Sequence, residues 1–380
     1  MSTQTSAALD SCQTGTEIAQ QPRVWREISA LVTERREALD RFLADATADP
    51  RSVILLAGAG TSSFIGELVA SEVARYAGRT TTAVPTTDIV AAPATAVPSD
   101  RPVLLVSFAR SGDSPESVAA VQLADRVAGA VRHLVITCNA DGALARHCAG
   151  RSDSFVLTLP AVANDEGFAM TSSFTGMALG TLLVFGSTVD ATVLAAAGDA
   201  VRAVVEEAVG PVVALHPRRV VHLGSGALQG LAHEGALKCL ELTAGRILAL
   251  ADSPMAFRHG PKSALDATTV AMVYLSNDPY TRRYDLDLAR ELWTGLGLDR
   301  VVVIEGTGDV DLPVATWTVP GVAGLPDAEW GLPAALFAQT FALTASLAEG
   351  LSPDNPFPGG EVNRVVQGVV IHPYTGLKGE

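Results

Sequence analysis

Apolar positions Val24, Trp25, Ile28, Leu31, Leu39, Phe42 and Leu43 fall at a helical spacing within 16–45. That spacing lines one face of a helix, so the chain is predicted to open with a helical extension. The pattern then shortens. Residues 52–57 (SVILLA) are an apolar run of strand length, followed by a small-residue turn at 58–63 (GAGTSS) and helical spacing over 64–76. Strand-sized runs at 81–84, 103–107 and 133–138 alternate with helical patterns such as 115–131. After a helical stretch ending near Val209 the order recurs: a strand and glycine turn at 220–226 (VVHLGSG), a helix over 228–243, strands at 270–274 and 301–304, and helices over 286–296 and 333–347. Strands alternating with helices predict mostly parallel, doubly wound sheets, and the recurrence predicts an internal duplication. The expected division is an N-terminal helical extension (1–45), two tandem α/β domains (46–205 and 206–350) and a C-terminal tail (351–380). The tail is rich in Pro and Gly around DNPFPGG and is expected to cross the surface and close over a site.

Composition narrows the class. The 380 residues are 48% apolar and 18% charged, with 34 Gly and 21 Pro dispersed along the chain, which suits a packed enzyme of two domains and excludes a disordered chain. Cys12, Cys138, Cys148 and Cys239 form no CxxC pair and no cluster with the seven histidines, so no metal site is expected and the thiols read as buried groups in a reducing cytosol. The first residues lack a basic segment followed by an apolar run, and the Ala-rich stretch 181–201 is broken by Gly186, Asp190 and Asp199. A soluble, cytoplasmic protein with no membrane partner is expected. A net charge of −14 opposes binding to nucleic acid, whose affinity comes from neutralising phosphates. It does not oppose one small phosphorylated metabolite, which hydroxyls, backbone amides and a helix N-terminus can hold locally.

Three segments place hydroxyls at strand ends or in the following turns, where ligands bind in open α/β sheets: 59–63 (AGTSS), 107–114 (SFARSGDS) and 169–175 (AMTSSFT). Any one of them reads as ordinary turn and cap chemistry. Three on one predicted sheet edge point to an anion site. No GxxxxGK[ST] loop is present, and the glycines after Ala57 do not follow GxGxxG, which argues against a nucleotide. In the second half Glu234, Lys238 and Glu241 share a helical face, either as a solvated charged surface or as an acid–base group beside the glycine turn. The loop 257–261 (FRHGP) leaves His259 at its apex, and histidine as a residue type can both donate and accept protons near neutrality.

AGTSS (59–63), ARSGDS (109–114), EGALKCLE (234–241) and RHGP (258–261) resemble the motifs of the sugar isomerase (SIS) domain family in its tandem form, over about 52–347. The opening 14–25 (TGTEIAQQPRVW) and the tail 356–374 (PFPGGEVNRVVQGVVIHPY) resemble the branch named tagatose-6-phosphate ketose/aldose isomerase, whose members include galactosamine-6-phosphate deaminases. The resemblance implies flavodoxin-like sheets and a phosphate cradle of Gly60, Thr61, Ser62, Ser111, Gly112 and Ser114, with Thr171 and Ser172 lining the sugar. It also implies Glu241 as the catalytic carboxylate, Lys238 as its neighbouring lysine and His259 as the ring-opening histidine, which in the family can come from a partner subunit; a homodimer with a shared active site follows. Where the family often has Ser-Gln, this chain has Ala109-Arg110. That leaves Arg110 either on the phosphate or turned away. No metal or organic cofactor is implied. A glutaminase domain and the family's C-terminal Schiff-base lysine have no counterpart here: Asn363, Arg364 and His372 stand in the tail and Lys378 lies beyond the matching region.

The activity expected from this resemblance is deaminating isomerisation of a 2-amino-2-deoxyhexose 6-phosphate, D-galactosamine 6-phosphate foremost, to a ketose 6-phosphate and ammonia. Aldose–ketose isomerisation of a hexose 6-phosphate is the alternative. A non-catalytic sugar-phosphate sensor is the third, and the lack of a helix-turn-helix pattern or basic patch speaks against it.

Overall fold

The computed structural model describes residues 10, 12–366 and 368–376. In chain order its helices and strands are α1 (Gln13–Ala46), β1 (Val53–Ala57), α2 (Thr61–Ala77), β2 (Thr80–Ala83), α3 (Thr86–Ala91), α4 (Pro93–Ala96), β3 (Val103–Ala109), α5 (Pro115–Val127), β4 (Val131–Thr137), α6 (Ala143–Cys148), β5 (Ser154–Thr158) and α7 (Ser172–Val184). There follow α8 (Ala191–Val213), β6 (Arg219–Gly224), α9 (Ala227–Leu242), β7 (Leu248–Asp252), α10 (Pro254–Phe257), β8 (Thr269–Tyr274), α11 (Thr281–Leu296), β9 (Val301–Glu305), β10 (Ala315–Thr318) and α12 (Asp327–Ala348).

The strands form two five-stranded parallel sheets, ordered β2-β1-β3-β4-β5 and β7-β6-β8-β9-β10. Read in sequence order, the second sheet repeats the first, the doubly wound 2-1-3-4-5 arrangement. The duplication has a register. Val53, Thr61, Val103 and Pro115 begin β1, α2, β3 and α5, and Arg219, Ala227, Thr269 and Thr281, each 166 positions later, begin β6, α9, β8 and α11. Strand pairing keeps this offset, with Ala57 beside Ser107 in one sheet and Leu223 beside Val273 in the other.

The chain packs as two units. One holds the first sheet and comprises Glu27–Asn164, Gly176–Thr188 and the described part of Gly360–Glu380; its core joins Val53, Leu55, Leu105 and Val135 to Val121, Ala124 and Leu144 of the helices. The other holds the second sheet and comprises the described part of Met1–Arg26, Asp165–Thr175 and Val189–Gly359, with Val221, Ala271, Val273 and Val303 packed on Leu288, Ala289 and Leu292 of α11. The segment 165–175, which carries the third hydroxyl cluster, therefore packs with the second sheet. Among the described residues one helix, α12, is long and apolar enough to cross a membrane; it is buried over most of its length, against α8 and α9, as a core helix of its unit.

Both glycine turns are shaped by close packing. A Cβ on Gly58 would lie 2.3 Å from the carbonyl carbon of Ser62, and one on Gly224 would lie 2.3 Å from the carbonyl oxygen of Leu228. Two residues on, Gly60 and Gly226 take φ values of 56° and 55°, a region that favours glycine. The strand thus feeds its helix so tightly that the first helical turn lies against the strand end. Gly58→Ala and Gly224→Ala should each destabilise by at least about 1–3 kcal/mol, because the clash is with backbone that no rotamer change relieves. Urea unfolding midpoints equal to wild type would refute this.

Candidate active site

In the first unit, the turn after β1 aims the start of α2 at the carboxyl edge of the sheet. Thr61, Ser62 and Ser63 are the buried first turn of that helix, with the amides of Ser62 and Ser63 turned onto Ala59 O and Gly60 O at 3.1 and 2.8 Å. A helix N-terminus favours negative charge. After β3, the 110–114 loop is clamped by the loop that follows β4. Asn139 Nδ2 donates to Ser111 O at 3.0 Å, the Ala143 amide to the Asp113 carboxylate at 2.9 Å and the Leu144 amide to Gly112 O at 2.9 Å. Gly142 lies so near that a Cβ there would be 2.2 Å from Ser111 O, and Gly112 takes φ 72°. Ser114 precedes α5, and its hydroxyl forms no cap on that helix.

Two buried hydroxyls that sequence reasoning did not single out as site residues stand in the same unit. Thr86, whose amide donates to Gly58 O at 2.8 Å, and Ser107 at the end of β3 each have a side-chain oxygen without a hydrogen-bond partner among the described residues. Buried hydroxyls are costly when unmet, so water or a bound group is expected to meet them. Arg110 is buried, and its Nη2 donates to Arg364 O in the tail at 3.0 Å; Arg126 Nη1 donates to Tyr374 O at 3.3 Å. Of the two orientations left open by the sequence, the guanidinium takes one that reaches the tail.

In the second unit Thr171 and Ser172 are fully buried and already engaged. Asp165 accepts from the Thr171 amide (2.8 Å) and hydroxyl (3.0 Å) and from the Ser172 and Ser173 amides (3.0 and 2.8 Å), tying the start of α7. Ser172 Oγ donates to Glu17 O at 2.7 Å and accepts from Gln20 Nε2 at 3.1 Å. Glu17 in turn accepts the Gly167 amide at 3.1 Å, and its carboxyl is pushed up by burial and by nearby Asp165. The 14–25 motif is thus the partner of the 165–172 segment.

On α9, Glu234, Lys238 and Glu241 share a face as the spacing predicts. Lys238 is fully buried, 3.5 Å from Glu234 and in a short ion pair with Glu241, whose side chain keeps a quarter of its surface exposed. Burial alone would lower the Lys238 pKa, but the two carboxylates overcome it and hold the ammonium charged. Behind this face lies a buried neutral cluster: His222 Nδ1 is 3.0 Å from Tyr274 Oη and its Nε2 3.7 Å from Cys239 Sγ. Burial pushes His222 down to about 3 and Cys239 up to about 12, so neither carries charge at neutral pH. Gly235 makes room for the cluster, since a Cβ there would be 2.6 Å from His222 Nδ1.

His259 is exposed at its loop apex, where its amide donates to Ala256 O at 2.8 Å; among the described residues its ring has no hydrogen bond or ion pair with Glu241. The loop is pinned by Glu291, which pairs with Arg258 Nε at 2.9 Å and with Lys262. Among the described residues Asp125, His133 and Asp153 have metal-like spacing, but Arg151 donates to both carboxylates at 3.0 and 2.9 Å and already supplies the cation.

The SIS domain family matches residues 48–185 of this chain. The Escherichia coli protein named D-galactosamine-6-phosphate deaminase AgaS is 43% identical over 375 residues, covering 97% of this chain and 98% of that protein. A Streptomyces coelicolor protein with a provisional form of the same name is 51% identical over 362 residues, 94% of each chain. This chain belongs to the AgaS branch of the SIS family. The solved Escherichia coli structure named tagatose-6-phosphate ketose/aldose isomerase agrees in fold, with a TM-score of 0.89, 40% identity, and coverage of 97% of this chain and 98% of that one. For an SIS protein, the local motifs were visible in sequence; the clamp of Asn139 and Gly142 and the brace of Glu17 on Ser172 were not, because no short spacing links residues 28 or 155 positions apart.

Proposed function

We propose that this SIS protein is a deaminating isomerase that converts D-galactosamine 6-phosphate and water to tagatose 6-phosphate and ammonia. The observation that carries the reading is the Glu234–Lys238–Glu241 face, a buried ammonium gripping a part-exposed carboxylate, in a chain similar end to end to proteins named for that activity. Gly60, Thr61, Ser62, Ser111, Gly112 and Ser114 hold the phosphate through hydroxyls and amides, with Thr86 and Ser107 as further donors. Thr171 and Ser172 shape the sugar pocket through the Asp165 and Glu17 brace, since their own hydroxyls are engaged. Arg110 acts on the tail. Phosphate binding holds the reacting carbons in place, so that remote contacts serve the chemistry.

His259 moves a proton between the anomeric hydroxyl and the ring oxygen, opening the ring to the C1 aldehyde. Glu241 removes the C2 proton, giving an enolamine, and returns a proton to C1. C1 becomes the CH₂OH carbon and C2 an imine, which water hydrolyses to the ketone with loss of ammonia. Lys238 fixes the Glu241 carboxylate and its charge opposes the negative charge developing near O1. The enzyme is a cytoplasmic homodimer whose partner brings His259 to the site, a reading supported by the exposure of that histidine within one chain. Incubation with galactosamine 6-phosphate in deuterated water should release ammonia and give tagatose 6-phosphate carrying deuterium at C1. The name of the similar solved structure keeps aldose–ketose isomerisation as a second reading. No ammonia, with turnover of tagatose 6-phosphate instead, would favour it.

A further inference from the structure

We infer that the second sheet carries a degenerate copy of the phosphate cradle, plugged by the protein's own Asp285 carboxylate, so that each chain holds one sugar phosphate. The inference rests on the first-sheet cradle just proposed. The 166-residue register places Leu228 at the counterpart of Ser62, Asn277 at that of Ser111 and Tyr280 at that of Ser114, so no serine hydroxyl remains at these positions, and the phenol of Tyr280 lies 2.9 Å from that of Tyr284. Asp278 stands at the counterpart of Gly112, whose φ of 72° favours glycine. The backbone frame has been kept: the second turn retains its two glycines and the same tight approach of strand to helix.

What fills that frame is a carboxylate. Asp285, fully buried in α11, stands in the register of Ala119 of α5. Its Oδ1 accepts the Ser225 hydroxyl at 2.5 Å from the glycine turn, and its Oδ2 accepts the Ser276 amide at 2.9 Å from the end of β8. One side chain therefore bridges the two segments whose counterparts, 59–62 and 110–114, flank the first cradle. A carboxylate uses the same N–H and O–H donors that a phosphate would. Behind it, Asp327 accepts the Ser276 hydroxyl at 2.5 Å and the Asn277 amide at 2.8 Å, so a phosphate would meet a second anion. The neighbouring cation is committed elsewhere, with Arg282 donating to Glu305, Thr307 and Asp309 at 3.3, 2.6 and 2.5 Å. In the first unit the small Ala119 leaves the corresponding position unfilled by charge.

The test uses the full chain and galactitol 6-phosphate, an alditol phosphate that lacks the reacting carbonyl. Calorimetric titration of wild type should give one equivalent per chain; two equivalents overturn the inference. Ser62→Ala/Ser111→Ala should weaken that binding at least about tenfold; unchanged binding would count against the first-sheet cradle and leave the plug to be judged by the next arm. In the Ser62→Ala/Ser111→Ala background, adding Asp285→Ala should make the melting temperature rise by a few degrees with millimolar formate or inorganic phosphate, as expected when an anion binds only the folded state. The background alone should not respond. Absence of any anion-dependent rise in the Asp285→Ala protein overturns the plug. If that protein folds only with help, refolding with and without formate is the readout: recovery with formate supports the plug, and failure with it overturns the plug.

Discussion

Glu241→Gln is expected to lower kcat for galactosamine 6-phosphate by ~10²- to 10⁴-fold, the range of a general acid–base group, while the Kd for galactitol 6-phosphate stays within about twofold. The two readouts separate because the carboxylate and the cradle belong to different elements: Glu241 lies in the last turn of α9, whereas Ser62 lies in the first turn of α2 and Ser111 in the loop after β3. Glutamine keeps the shape of the side chain and removes its capacity to take a proton. Lys238 retains Glu234 at 3.5 Å as a counter-ion, so the variant should fold normally. Exchange of the C2 proton with deuterated water should fall with kcat. A variant as active as wild type would remove Glu241 from the mechanism and return this face of α9 to a structural role.

Lys238→Met is expected to cost about 3–5 kcal/mol of stability, the penalty for deleting one partner of a buried charged group. It should also abolish turnover, since the cation is removed from between two carboxylates on the reacting face. The pH dependence has a defined sign. The Lys238 pKa in the folded protein is raised above its ordinary value, so its stabilising contribution is fully present below the unfolded-state value near ~10.4 and is lost as pH rises through the native value. Wild type should therefore lose stability steeply above pH ~10, and Lys238→Met should lose less over the same interval. The chain has three lysines, Lys238, Lys262 and Lys378, which keeps competing lysine titrations few. Chemical denaturation from pH 7 to 11 reads the difference; parallel curves for the two proteins would contradict the buried ammonium.

Much of the fold was legible locally. The apolar runs that became β1, β3, β8 and β9 are buried at every position, and a strand buried on both faces has to read as a continuous apolar stretch. The strands missed in sequence, β5, β7 and β10, are sheet edges and mix buried with half-buried or exposed positions, so neither a run nor a clean alternation marks them. Helix α9 was predicted to within a residue at each end, and with it the shared face of Glu234, Lys238 and Glu241, because a 3.6-residue period is an intrinsic property of the chain.

The roles of individual polar groups had a different origin. Thr171 and Ser172 read as hydroxyls lining a sugar, and the fold buries them and engages their hydroxyls with Asp165 and Glu17. Arg110 reads as a cation either on the phosphate or turned away, and only the structure brings it to the carbonyl of Arg364, 254 residues along the chain. Asp285 carries no motif at all, and only the strand register brings it onto Ser225 and Ser276. Local spacing is written into the backbone geometry of helix and strand, so the chain alone dictates its elements, its duplication and which side chains share a face. Partner choice for a buried hydroxyl, guanidinium or carboxylate depends on which distant segments close packing brings within about 3 Å, and that is settled when the sheets assemble.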